Sequence, residues 1–341
     1  MMLKRFRWTG IVLHIGLMLA CILSADASAE VIKLQMALGP HVPGSVYQLY
    51  QEKIIPQRIV ETVKGVTGQE LEVITHTGLV NAADVLDAVR DGRVDMGVQG
   101  AMYRGDMTLL NALAFPAILP FEVCPRLHLK LEPLYQEVLR DQFQVEMLGM
   151  GYWPRQLLIS KRPAATFADL KGLKFRTHSY DLLQLMLKAG GAPVQMSYGE
   201  VYLALQRGAI DGAVSSLSGI AGQKWYEVAK HVDWWPMGTV TYFFVMNKKT
   251  WDKLPEDVQR VLRDVVSKAG LETWVASDVE DKKTKEIYTT QYGCTHHYPP
   301  EDEIRQLKEF VGPIIDDWKK RAGNRAEEVI TIFNNELGTN Y

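Results

Sequence analysis

Apolar positions along the chain follow two rhythms that take turns. Val31 to Leu38 (VIKLQMAL) and Leu71 to His76 (LEVITH) have the length and alternation of strands, whereas Val85, Ala88 and Val89 recur at helical spacing. A loop bracketed by glycine and proline, Gly39 to Gly44, separates the first strand from a helix predicted over about Ser45 to Val63. A strand, helix, strand, helix, strand order of this kind is the signature of an open α/β sheet.

One segment of the pattern occurs twice. Asp84 to Val98 (DVLDAVRDGRVDMGV) and Glu200 to Val214 (EVYLALQRGAIDGAV) share an acidic residue, an apolar helical face, a glycine, and then an aspartate leading into a small-residue and valine run. In the second copy the helical face is Val201, Ala204 and Leu205. Gly92 and Gly208 stand where a helix ends in the left-handed conformation that glycine adopts without penalty. The runs that follow read as buried parallel strands. The repeat predicts two lobes of similar design with a cleft between them.

Between and after the copies the pattern resets. Gln144 to Gly149, Gln156 to Ser160 and Leu173 to Thr177 read as strands, Thr166 to Asp169 as a capping-box start of a short helix, and Tyr242 to Met246 as a buried strand. From Pro255 a helix is predicted over about Glu256 to Gln291, apolar in its first half and charged in its second. Its length suits a strut laid across two lobes.

Composition adds limits. Hydrophobic content of 47% with 23% charged residues excludes a disordered chain, and a net charge of -2 gives no electrostatic basis for binding nucleic acid. Residues 1–29 differ from the rest: Lys4, Arg5 and Arg7 precede an apolar run from Gly10 to Leu23, and Ala27-Ser28-Ala29 forms a small-residue cleavage site. The expectation is export with cleavage after Ala29; a membrane anchor and a lipoprotein attached at Cys21 are the competing readings. Of the cysteines only Cys124 and Cys294 lie beyond that segment, and buried free thiols are expected rather than a disulfide. No spacing of Cys and His suggests zinc, and His296-His297 reads as a surface pair.

In open α/β sheets ligands sit beyond the carboxyl ends of the strands. That rule points to His41 after the first strand and to Gln99-Gly100 after the third. The motifs of nucleotide-binding loops, nucleophile elbows and zinc proteases are missing, so no catalytic constellation stands out. Two arginines are candidates for gripping an anion through a guanidinium fork: Arg176 near the carboxyl end of its strand, and Arg155 after Tyr152-Trp153-Pro154. The competing reading pairs each with a structural Asp or Glu. Trp153, Tyr180 and Tyr242 are candidate pocket walls among aromatic residues that as a class are more often core.

Three segments carry a family resemblance. Asp169-Leu-Lys-Gly-Leu-Lys-Phe-Arg176, the run from Gly190-Gly-Ala-Pro-Val to Ala-Ile-Asp-Gly212, and Ala114 to Glu122 resemble the extracytoplasmic solute-binding proteins of TRAP transporters, the DctP type. The resemblance implies an α/β, two-lobed periplasmic-binding-protein-like fold, each lobe an open, mostly parallel sheet flanked by helices, with a long helix spanning both. It places lobe I at 30–152 plus 241–280 and lobe II at 153–240 plus 281–330, between the signal peptide read at 1–29 and a C-terminal tail at 331–341. It implies that Arg176 binds a ligand carboxylate and that Arg155 assists. Ser215 stands where many members carry a ligand-contacting Asn, and a hydroxyl has shorter reach and one donor fewer than a carboxamide. The implied partners are a small-molecule carboxylate and the TRAP transporter membrane subunits, with a monomer or dimer as the assembly and a periplasmic location. No cofactor is implied; a metal ion beside the ligand stays open. A ligand sensor for a membrane signalling partner and an exported α/β enzyme are the alternatives.

Overall fold

A computed structural model describes residues 31–39, 42–115 and 119–341. The leader expected at 1–29 and the candidate His41 lie outside the described residues. In chain order the strands are β1 (Ile32–Leu38), β2 (Leu71–Thr77), β3 (Met96–Gly100), β4 (Val145–Tyr152), β5 (Leu157–Ser160), β6 (Lys174–Thr177), β7 (Ala192–Gln195), β8 (Gly212–Ser215), β9 (His231–Asp233), β10 (Thr241–Asn247) and β11 (Thr295–His297). The helices are α1 (Val46–Leu49), α2 (Ile55–Thr67), α3 (Val85–Arg90), α4 (Cys124–Phe143), α5 (Phe167–Leu170), α6 (Tyr180–Lys188), α7 (Val201–Gln206), α8 (Leu217–Gly222), α9 (Lys248–Trp251), α10 (Glu256–Thr290), α11 (Glu301–Glu309), α12 (Gly312–Ala322) and α13 (Ala326–Leu337). Between α1 and α2 the chain makes a π turn over Tyr50–Ile54. Pro56, in the first turn of α2, offers no N–H to the preceding turn, which accounts for the wider turn there.

The strands form two sheets. One has the order β2-β1-β3-β10-β4 and the other β11-β9-β5-β8-β6-β7. Each is mostly parallel with a single reversed strand, β10 in the first and β5 in the second. The chain passes between sheets after β4 and again after β9, and α10 makes a third crossing. At its start α10 packs on β4 and α2, and at its end on α8 and β11.

The two copies of the repeat fold alike, bond for bond. Gly92 and Gly208 have φ of 73° and 74°. Arg93 N donates to Ala88 O and Ala209 N to Ala204 O, each at 2.9 Å, closing the two helices in the same way. The repeated aspartate then ties its strand to the neighbouring parallel one. Asp95 accepts from Gln35 N at 2.8 Å while its own N–H donates to Gln35 O at 2.9 Å. Asp211 accepts from Lys174 N at 3.0 Å and donates its N–H to Lys174 O. A carboxylate in that place satisfies an amide just ahead of the paired residues, which the ladder leaves open.

The C-terminal segment differs from the sequence expectation. Residue 331 falls inside α13, whose Val329, Ile330 and Phe333 are buried. This helix packs on α4 of the first lobe, with the rings of Phe333 and Phe115 6.2 Å apart and Arg325 Nη1 2.8 Å from Glu137 Oε2. α12 packs on α6 of the second lobe, so the last two helices strap the lobes together from outside. Cys124 and Cys294 are free and buried, in separate cores.

Candidate ligand-binding cleft

Two helix starts and one chain crossing converge between the sheets. Ser45 caps α1, its Oγ accepting from Gln48 N at 3.2 Å and donating to Val42 O at 2.8 Å. Ser216 caps α8, its Oγ accepting from Gly219 N at 3.1 Å. With Tyr47 and Val42 from the first lobe, Trp153 and Pro154 from the crossing, and Tyr198, Ser215 and Ser218 from the second, they wall a cavity of about 10 Å³. That is room for one water-sized centre. Tyr198 is fixed by donating its hydroxyl hydrogen to Gly219 O. Trp153 stacks edge-on against Tyr47 at 4.8 Å; its indole N–H is buried beside that hydroxyl without a hydrogen bond of good geometry.

Arg176 stands behind this wall. Its side chain is buried, 4% exposed, at the carboxyl end of β6. Nε donates to Met196 O at 3.1 Å and Nη1 to Val214 O at 2.9 Å. Both acceptors lie in the segments that wall the cavity, two residues before Tyr198 and one before Ser215. Nη2 has no acceptor among the described residues, and no carboxylate pairs with the guanidinium there. The ionisable groups that act on it are the phenols of Tyr103 and Tyr198, while burial presses its pKa downward from the usual arginine value. Desolvating a cation without a counter-charge is costly, and an anion arriving at Nη2 removes that cost.

Beyond Tyr103 the gap between the lobes widens into a chamber of about 190 Å³ lined in part by Thr108, Asn111, His178, Gln195 and Tyr180. Tyr103 separates the two spaces, its ring 6.3 Å from Trp153. His178 is held neutral there, its pKa pushed down to about 3 by burial and by Arg176. The chamber's cations are neutralised locally. Arg104 pairs with Asp87 and Asp106, each at 2.7 Å, and Arg321 pairs with Asp181 and Asp317.

The remaining expected residues fall in three kinds of place. Tyr180 lies at the rim of the larger chamber, 44% exposed, under the Arg321 guanidinium at 4.6 Å. Tyr242 is buried in β10 and packs edge-on against Tyr47 at 4.8 Å, so it backs the cavity wall instead of forming it. Gln99 is not a wall of either space: its Oε1 accepts from Leu86 N at 2.9 Å and its Nε2 donates to Ala82 O and Gly100 O. This amide serves α3, whose N-terminus has no side-chain cap of its own. Arg155 is engaged by carboxylates, with Glu122 and Asp278 each 3.4 Å from Nη2 and Asp281 3.8 Å from Nε. Residues that sequence reasoning passed over are Ser45, Tyr47, Tyr103, Tyr198 and Ser218. Tyr198 had a signal, since Ser197 and Glu200 around it form a capping box.

The Arg155 cluster yields a pH prediction. Burial raises the Asp281 carboxyl from 3.8 to about 8, only partly offset by Arg155. The folded chain therefore holds that proton more tightly than the unfolded one. The resulting stability is complete below about pH 4 and is lost as pH rises through about 8. Thermal melts at about pH 5 and about pH 8.5 should show the wild-type Tm falling more with pH than that of Asp281→Asn. Equal slopes for the two proteins would contradict a buried, weakly paired carboxyl at this crossing.

Two α/β lobes joined by three crossings, with a buried guanidinium that keeps an unfilled donor between them, have the architecture of a solute-binding protein, and no catalytic constellation appears among the described residues. The family model of the bacterial extracellular solute-binding proteins, family 7 (DctP), matches residues 57–321, and the chain belongs to this family. It is 26% identical over 324 residues to the C4-dicarboxylate-binding periplasmic protein DctP of Rhodobacter capsulatus, an alignment covering 92% of this chain and 94% of that protein. A TRAP periplasmic solute-binding protein of Desulfovibrio salexigens, solved with bound orotic acid, superposes with a TM-score of 0.78 at 21% identity, covering 90% of this chain and 98% of that one. A TRAP solute-binding protein of Rhodoferax ferrireducens in complex with copurified benzoate gives 0.75 at 18% identity over 90% and 98% of the two chains. These structures share the fold. The family is periplasmic, works with TRAP transporter membrane subunits, and comprises binding proteins rather than enzymes. Among the described residues no helix is long and apolar enough to cross a membrane.

Proposed function

We propose that this protein captures a small organic acid between its lobes, clamps the carboxylate on Arg176, and presents the closed complex to TRAP membrane subunits after export and cleavage behind Ala29. The observation that carries this reading is the buried guanidinium whose Nη2 has no protein acceptor among the described residues, set behind Ser215 and Tyr198. A carboxylate there accepts a charge-assisted hydrogen bond from Nη2 in a site shielded from water. Ser215, in the place of the Asn frequent in the family, and Trp153 supply the neutral contacts. Arg155 contributes indirectly, holding the Trp153-Pro154 crossing against α10 through Asp278 and Asp281. The test is to release and identify the molecule that accompanies the purified protein. An organic acid recovered chemically unchanged is expected; a turnover product would favour the exported enzyme.

A further inference from the structure

The charge balance of the cleft goes further than carboxylate binding. Resting on the reading above, we infer that this cleft selects monocarboxylates with a compact neutral body and rejects dicarboxylates. Among the described residues around the two spaces, Arg176 is the cation left without an acidic partner. Arg104 and Arg321 are each paired with two carboxylates, and Arg155 lies beside those of Glu122 and Asp278. The site therefore has one positive charge to offer, and one carboxylate consumes it.

The walls say what the rest of the ligand must be. The cavity in front of Ser215 carries serine and tyrosine hydroxyls, an indole, a valine and a proline, and no Lys, Arg, Asp or Glu. A second carboxylate there would be desolvated against neutral donors alone. It would also meet an acid, because Glu280 on α10 lies beneath this wall, its Oε1 accepting from Val46 N at 2.8 Å and its carboxyl beside Ser218. Burial raises the pKa of Glu280, and a second anion beside it would push that carboxyl further the same way, at a cost to binding. Trp153 adds a positive requirement. Its buried N–H lacks a well-placed acceptor, and a hydroxyl, keto or ring-carbonyl oxygen on the ligand body would satisfy it.

The test is calorimetric titration at neutral pH with pairs of acids that differ by one carboxylate: lactate with malate, butyrate with succinate, and benzoate with phthalate. The expected result is that the monocarboxylate of at least one pair binds about a hundredfold or more tighter than its partner, and that no dicarboxylate binds tighter than its monocarboxylate. A dicarboxylate that matches or exceeds its partner, with binding lost in Arg176→Met, overturns the selectivity while leaving the carboxylate clamp standing. A protein that binds none of the six, and whose accompanying molecule has no carboxylate, overturns the clamp itself.

Discussion

Arg176→Met weakens binding of the protein's organic acid by at least about a hundredfold, roughly 2.7 kcal/mol, in a calorimetric titration. The loss is large because closure strips water from the anion, and truncating one partner of a buried charge pair costs about 2–5 kcal/mol. Methionine keeps the length and apolar bulk of the arginine stem, so the pocket behind Ser215 stays filled. The ligand-free protein should respond quite differently. There the guanidinium bears its desolvation without an acid, and removing it relieves that cost while freeing the Met196 and Val214 carbonyls. These opposing effects keep the ligand-free Tm within about 5 °C of wild type. Arg176→Lys should fall between, keeping the charge and losing the fork. Undiminished binding by Arg176→Met, measured on folded protein, would remove the residue from the site.

The second large effect is structural and acts through α10. This helix lies so close on β4 that a Cβ at Gly270 would collide with the Met150 carbonyl oxygen, and one at Gly149 would stand 2.9 Å from Ser267 N. The approach is pinned by Thr273, whose Oγ1 accepts from Tyr152 N at 3.2 Å and donates to Gly270 O at 2.6 Å. Gly270→Ala gains about 1 kcal/mol of helix propensity but forces helix and strand apart. The net expectation is a loss of about 3 kcal/mol or more in urea unfolding. Ligand affinity should fall as well, since the far end of the same helix carries Glu280 to Val46 and Asp278 and Asp281 to Arg155. Unchanged stability would mean that the glycine is not what permits the contact.

Much of this architecture is legible in the chain because it is written locally and twice. The helix, glycine, aspartate and strand of each repeat are short-range features, and Asp95 and Asp211 do the same work in both lobes. The strand carrying Arg176 and the long α10 also follow from periodicity. Features set by distant partners are not legible. The acids that engage Arg155 come largely from α10, 123 residues away in the case of Asp278, and no local pattern announces that pairing. The docking of α13 on α4 depends likewise on residues far apart in sequence.

Gln99 and Ser215 show how one rule can succeed in one lobe and miss in the other. They occupy equivalent places at the ends of β3 and β8. In lobe I the helix α3 starts without a side-chain cap, and Gln99 turns its amide to Leu86 N and Ala82 O. In lobe II the turn before α7 is capped by Ser197 and Glu200, so Ser215 is released to line the cavity. Across from it stand Ser45 and Tyr47, at the start of the helix that follows β1.

The central claim is that Arg176, and not Arg155 or the larger chamber, holds the anion. A crystal structure of the protein with its accompanying acid tests this most directly. The expected result is the carboxylate on Arg176 Nη2, enclosed by Ser215, Tyr198 and Trp153, with Arg155 still beside Asp278 and Asp281. An anion seated on Arg155 or beside His178, with Arg176 bound only to Met196 and Val214, would contradict it.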